Sequence, residues 1–204
     1  MLAPRPFSPG RRAILLPDLG VCFGTPHFFS TRRGRAYNVA KSYYTGVTQV
    51  AGNIDKRLSE LGIDLPPANA PAGNYVPFVR TGDLLFISGQ IPVVDGKPAF
   101  IGTVGDELSV EEGAAAARTC ALSILAQARE ALGGDLDRVV RCVKLSGFVA
   151  CTTDFGDQPK VINGASDLMV EVFGDAGRHA RAAVGMSSLP LGVAVEVEAI
   201  FEVR

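Results

Sequence analysis

An arginine at the start of one strand-like run and two glutamates in the next make the strongest candidate for chemistry in this chain. In "RAAVGMSSLPLGVAVEVEAI", Arg181 opens the first run, and Glu196 and Glu198 lie in the second. A guanidinium fork near a strand end can hold a carboxylate through two parallel charge-assisted hydrogen bonds. A nearby glutamate can position a water or move a proton if its surroundings tune its pKa. Pro190 and Gly192 shorten the connection, so the two runs are expected to pair as a hairpin. On spacing alone, an ordinary cross-strand Arg–Glu pair explains the same residues.

The positioning elements lie between residues 50 and 204. Asp55–Leu61 reads as a short helix ending at Gly62, followed by a Pro/Ala/Gly connector over Leu65–Asn74. Tyr75–Arg80 and Leu84–Ser88 are strand-like runs joined by "TGD", and Asp95-Gly96 marks a further turn. Ser109 and Glu112 have the spacing of a capping box, which predicts a helix running to Gly133-Gly134. Its many alanines point to close packing on a sheet. Val139–Ala150 is β-branched and alternating, Gln158–Phe173 carries an inward stripe of Val161, Leu168 and Val172, and Arg181–Leu189 reads as a strand.

Val193–Val203 gives the clearest period of two. Val193, Val195, Val197, Ala199, Phe201 and Val203 share one face; Ala194, Glu196, Glu198, Ile200 and Glu202 share the other. The sum is an α+β fold, a mixed sheet with two helices on one face. The opposite face is only partly polar, so association through the sheet is expected.

Composition narrows the partners. The chain has 204 residues, 47% hydrophobic and 20% charged, with a net charge of -1. Residues 1–50 carry seven basic residues against Asp18 alone, a net +6, which leaves −7 for the remainder. An acidic domain argues against nucleic acid and against anionic membrane. No stretch approaches the roughly 20 apolar residues of a membrane span. Cys22, Cys120, Cys142 and Cys151 have no zinc-type spacing and only His27 and His179 could assist them, so no metal is expected. They read as free thiols of a reducing compartment, and the expected location is cytoplasmic.

Residues 1–49 mix five prolines with arginine, glycine and serine and show no sustained period. They read as an unstructured extension, either translated leader sequence ahead of a start at Val50 or a mitochondrial transit peptide. The working domain is expected over 50–204.

"SGQIP" (Ser88–Pro92), "RAAVGMSSLP" (Arg181–Pro190) and "VEVEAI" (Val195–Ile200), with Tyr75 ahead of the first block, resemble the signature blocks of the reactive-intermediate deaminase (Rid, YjgF-like) family. The resemblance runs from about Ile54 to Arg204 and is nearest to a longer subgroup with "QPKVINGASDL" and "EVFG" before the arginine strand. It implies a chorismate-mutase-like fold assembled as a homotrimer around a barrel of sheets, with clefts between subunits. It also implies hydrolysis of 2-aminoacrylate-like enamines and 2-imino acids to 2-oxo acids and ammonia, without cofactor. By resemblance, Arg181 binds the substrate carboxylate, Glu196 positions the attacking water, and Tyr75, Ser88, Gly89 and Asn163 line the cleft. Ala182 and Ala183 stand where the family often has a hydroxyl and a thiol, so a more apolar cleft is expected. A trimer that binds small carboxylic acids without turnover is the alternative, and an RNA-directed role is disfavoured by charge.

The residues alone also allow plainer roles. Tyr75 could pack the first hairpin, Ser88-Gly89 could be a β-bulge, and His179 could be an exposed loop histidine.

Overall fold

The structure, a computed structural model, describes residues 54–71 and 73–204. The expectations for residues 1–49 lie outside these. Five strands form one mixed sheet in the order β1–β2–β7–β5–β6: β1 Phe78–Thr81, β2 Leu84–Gln90, β5 Val139–Ala150, β6 Ala180–Met186 and β7 Val195–Val203. The turn at Asp95-Gly96 joins a separate two-stranded ribbon, β3 Val93–Val94 and β4 Lys97–Pro98. Among the described residues three α-helices complete the fold: α1 Ile54–Glu60, α2 Val110–Ala131 and α3 Gln158–Phe173. Among the described residues no helix is long and apolar enough to cross a membrane.

Helix α2 begins as its sequence dictates. The Glu112 amide donates to Ser109 Oγ at 3.1 Å, and the Ser109 amide donates to Glu112 Oε2 at 2.8 Å. Ala116, Ala117, Ala121 and Ala128 are fully buried on its sheet-facing side. Small side chains also let α3 come close: a Cβ on Gly164 would overlap the Ala114 carbonyl of α2. Together α2 and α3 cover one face of the sheet, over Leu85, Ile87, Leu145, Val149 and the inward residues of β7. Phe173 of α3 meets Phe201 of β7 edge to face, with ring centroids 6.1 Å apart. Leu58 adds α1 to the same core. Cys120 and Cys142 are buried free thiols; burial pushes Cys142 up to about 12, which keeps it protonated and unreactive.

The alternation of β7 is as read, with its odd-numbered apolar residues buried. The expected hairpin is not. β5 lies between β6 and β7, antiparallel to β7 and parallel to β6. A parallel neighbour requires a crossover, and α3 supplies it between β5 and β6. The short segment after β6 then carries the chain across the end of β5, where the Ala150 amide donates to the Ala194 carbonyl.

Among the described residues nothing covers the other face of the sheet. Val79 and Phe86 lie opposite one another there, beside Ile200, and Val184 extends the face onto β6. Val79 and Val184 remain 52% and 45% exposed.

Candidate functional site

The six candidate residues fall into two groups on opposite sides of the sheet. The first is built where β2 departs from regular pairing. Ile87 is opposite Ala199 and Gln90 opposite Val197, so Ser88-Gly89 is a bulge against β7. Ser88 is tied twice to the lead-in of β1: its amide and its hydroxyl each donate to the Pro77 carbonyl at 3.0 Å. Gln90 holds the bulge from the other side. Its buried Nε2 donates to the carbonyls of Ser88 and Gly89 at 3.1 and 3.2 Å.

Gly89 is there because of Glu196. A Cβ at that position would overlap Glu196 Oε1, so only glycine lets the carboxyl lie against the bulge backbone. The carboxyl is half-buried. Burial, and after it the charge of Glu198, raises its pKa above the ordinary carboxylate value. Beside it, Ser88, Glu198, Val76, Phe86 and Ile200 line a concavity of about 240 Å³. Tyr75 stands at the approach to β1, half-exposed, with its ring against Gly73. Replacing Gly89 by alanine is expected to leave the melting temperature nearly unchanged, because Glu196 can swing aside. The displaced carboxyl should then lower kcat/KM by about 10²-fold, which steady-state kinetics on a 2-imino acid would check.

The second group surrounds Arg181. Its Nη1 donates to Asn163 Oδ1 at 2.8 Å and Ser166 Oγ at 3.0 Å, and its Nη2 donates to the Pro159 carbonyl at 3.3 Å. All three acceptors belong to α3, so the guanidinium is fixed although the residue is exposed. Two of its five N–H groups, Nε–H and one on Nη2, have no partner among the described residues, enough for a carboxylate.

Within one chain the two groups do not meet. Arg181 is in register with Leu145 on the helix-covered face, whereas Glu196 is in register with Phe148 on the uncovered one. Strand β5 also separates them, roughly 10 Å for two inter-strand spacings.

Three further residues belong to these groups. Gln90 is the third residue of the "SGQIP" block. Ser166 lies three residues after Asn163 on α3, hence on the same helical face. His179 precedes Arg181 by two and shares its side of the strand. It is half-buried and hydrogen bonded to Ser166, not an exposed loop histidine. Among the described residues no three His, Cys, Asp or Glu gather to hold a metal.

Comparison with known proteins identifies the class. The family model described as "YjgF/chorismate mutase-like, putative endoribonuclease" matches residues 55–202, and this chain belongs to that family, the YjgF/Rid family of chorismate-mutase-like fold. It is 51% identical to protein TCP17 of Trypanosoma cruzi over 155 residues, 76% of this chain and 96% of the relative. The mitochondrial protein mmf1 of Schizosaccharomyces pombe is 33% identical over 66% of this chain and 74% of its own length. Among solved structures, Atu1372 of Agrobacterium tumefaciens, of unknown function, is 51% identical with a TM-score of 0.70, covering 74% of this chain and 92% of the other. A "putative endoribonuclease" from Shewanella oneidensis is 36% identical with a TM-score of 0.72, covering 74% and 100%.

Proposed function

We propose that this chain is a cofactor-free enamine/imine deaminase, hydrolysing 2-aminoacrylate-like enamines and 2-imino acids to 2-oxo acids and ammonia. In this reading it works as a homotrimer, with each cleft formed by the Arg181 group of one copy and the Glu196 group of the next. The single observation that carries it is the division of the candidate residues. One surface offers a carboxylate clamp with two donors to spare, the other a raised carboxyl beside a concavity, and neither is complete alone. The uncovered apolar face supplies a surface through which copies would associate.

The chemistry follows from these parts. Arg181 holds the substrate carboxylate and so fixes the adjacent C=N carbon. An enamine that takes a proton on carbon becomes the protonated imine directly, whereas an imine takes that proton on nitrogen. Water, held by Glu196, adds to the protonated imine carbon, the C=N π pair moves to nitrogen, and Glu196 receives the water's proton. Returning that proton to nitrogen makes a neutral ammonia leaving group. Glu196, again a carboxylate, takes the hydroxyl proton as the C–N bond breaks and the carbonyl forms. That proton replaces the one that charged the imine, and one water is consumed for each ammonia released. Ala183, two residues after Arg181 and on its side of β6, presents only a methyl group beyond the carboxylate, which favours hydrocarbon side chains.

The net charge of −7 over residues 51–204 speaks against an RNA substrate. Action in the cytoplasm is the reading for this chain. The name of the S. pombe relative supports the alternative that residues 1–49 direct import into mitochondria.

The test generates imino acids in situ with an amino-acid oxidase and traps them with semicarbazide, comparing the full chain with Arg181→Ala. Wild type should suppress semicarbazone formation and the variant should not. Identical traces for every imine would sink the deaminase reading in favour of a trimer that binds small acids without turnover.

A further inference from the structure

We propose that His179 is a positioning residue for Arg181: by accepting a hydrogen bond from Ser166 it holds Ser166 in the orientation that fixes the guanidinium for a substrate carboxylate. The inference rests on the carboxylate-binding role of Arg181 argued above.

Every hydrogen in the chain of contacts can be assigned. His179 Nδ1 lies 2.6 Å from the Gly177 carbonyl, which can only accept, so Nδ1 carries the hydrogen and Nε2 is the acceptor. Ser166 Oγ is 3.0 Å from that Nε2 and therefore donates its one hydrogen to it. The hydroxyl oxygen is then left free to accept from Arg181 Nη1, also at 3.0 Å. The bonds run in one direction, Arg181 to Ser166 to His179 to Gly177. Their anchor is rigid, because Gly177 is buried so tightly that a Cβ there would overlap the Met169 carbonyl of α3. A backbone carbonyl at a fixed place thus determines, through two side chains, where the guanidinium sits. An arginine on an edge strand would otherwise lose much of its affinity to rotamer freedom.

Protonating His179 breaks the chain. Nε2 would become a donor, the Ser166 hydrogen would lose its acceptor, and a second positive charge would face Arg181. Burial first, and Arg181 after it, lower the imidazole pKa, against the opposing pull of the Gly177 carbonyl. The elements packed on the ring present Arg181 from β6, uncharged Ser166 from α3 and the Gly177 carbonyl from the turn, while neighbouring Arg178 is paired with Asp175 at 3.2 Å. The chain is therefore intact at neutral pH and is lost only on acidification beyond the ordinary imidazole range, because the folded-state pKa is lowered.

The test measures calorimetric affinity of the full chain for pyruvate, the simplest 2-oxo acid product, between about pH 5 and 8. Imidazole nitrogen chemical shifts are recorded on the same samples. Ser166→Ala and His179→Leu should bind about tenfold more weakly at neutral pH, the loss of one hydrogen bond to a charged group. His179→Gln, whose amide oxygen can still accept from Ser166, should recover most of that affinity. Wild-type affinity should fall on acidification, with the imidazole shifts reporting the Nδ1–H tautomer at neutral pH, and the glutamine variant should show no such fall.

Unchanged affinity in Ser166→Ala and His179→Leu, or an equal acid loss in His179→Gln, would overturn the positioning role. So would a weakened leucine variant that glutamine does not rescue, which would mark His179 as merely structural. Failure of the deaminase reading looks different: wild type binds pyruvate and Arg181→Ala does not, yet no imine is turned over. If wild type does not bind pyruvate at all, both readings fall together.

Discussion

Glu196→Gln should abolish imine hydrolysis while leaving the fold at least as stable as wild type. Glutamine is isosteric, so the contact with Gly89 is kept, but it cannot take a proton from water. Loss of a general base of this kind lowers kcat by about 10²- to 10⁴-fold. The stability change has a definite sign. Burial and Glu198 raise the folded-state pKa of Glu196, so the folded protein binds its proton more tightly than the unfolded chain does. The acid form is favourable below the unfolded-state pKa, and that advantage is lost as pH rises through the folded value. At neutral and alkaline pH wild type therefore carries a charge the fold disfavours, and the variant does not. Thermal melts should show Glu196→Gln melting higher than wild type at alkaline pH, with the gap closing as the solution is acidified. A variant that melts lower at alkaline pH would mean that the carboxylate is held by favourable contacts, contrary to its surroundings.

Two inactive proteins should restore activity when combined. Arg181→Ala lacks the clamp and Glu196→Gln lacks the acid, yet each retains the half-site the other has lost. If each cleft takes Arg181 from one copy and Glu196 from its neighbour, a cleft is intact only where an Arg181-bearing copy faces a Glu196-bearing one. Random assembly of an equal mixture puts about a quarter of clefts in that state. Unfolding and refolding the two variants together should return roughly that fraction of wild-type turnover, and mixing without subunit exchange should return none. Zero recovery after proven exchange would mean that both residues serve the same cleft from one chain. The register of β5 with its two neighbours speaks against that arrangement, because it puts the two side chains on opposite faces. This experiment is more decisive than either single variant, since a loss of activity alone has many causes and a recovery has few.

The misread hairpin shows where local reasoning stops. Both strands were legible: residues 181–186 and 195–203 are strand in the structure, although β6 ends at Met186 and not at Leu189. Their short connection implied adjacency, but the length of a connection limits only how far the chain can travel. It does not say whether another strand already occupies the place between. β5 takes that place because its apolar residues fit between both neighbours under α3. Tyr75 likewise opens no strand, since β1 begins at Phe78 after the turn that carries Tyr75.

The sequence by itself determined the elements whose causes are local. The capping box starts α2, the period of two in Val193–Val203 sorts buried from outward residues, and Ser88-Gly89 carries its bulge in the glycine. It also nominated Arg181 and Glu196, whose types and surrounding motifs set them apart. Only the tertiary structure decided strand order, because pairing depends on which apolar surfaces compete for one core. Only the tertiary structure placed Arg181 and Glu196 on opposite faces, because register is set jointly by three strands. It alone joined Ser166 and His179 to the arginine, since hydrogen bonds only a few ångströms long cannot be read until helix and strand have docked.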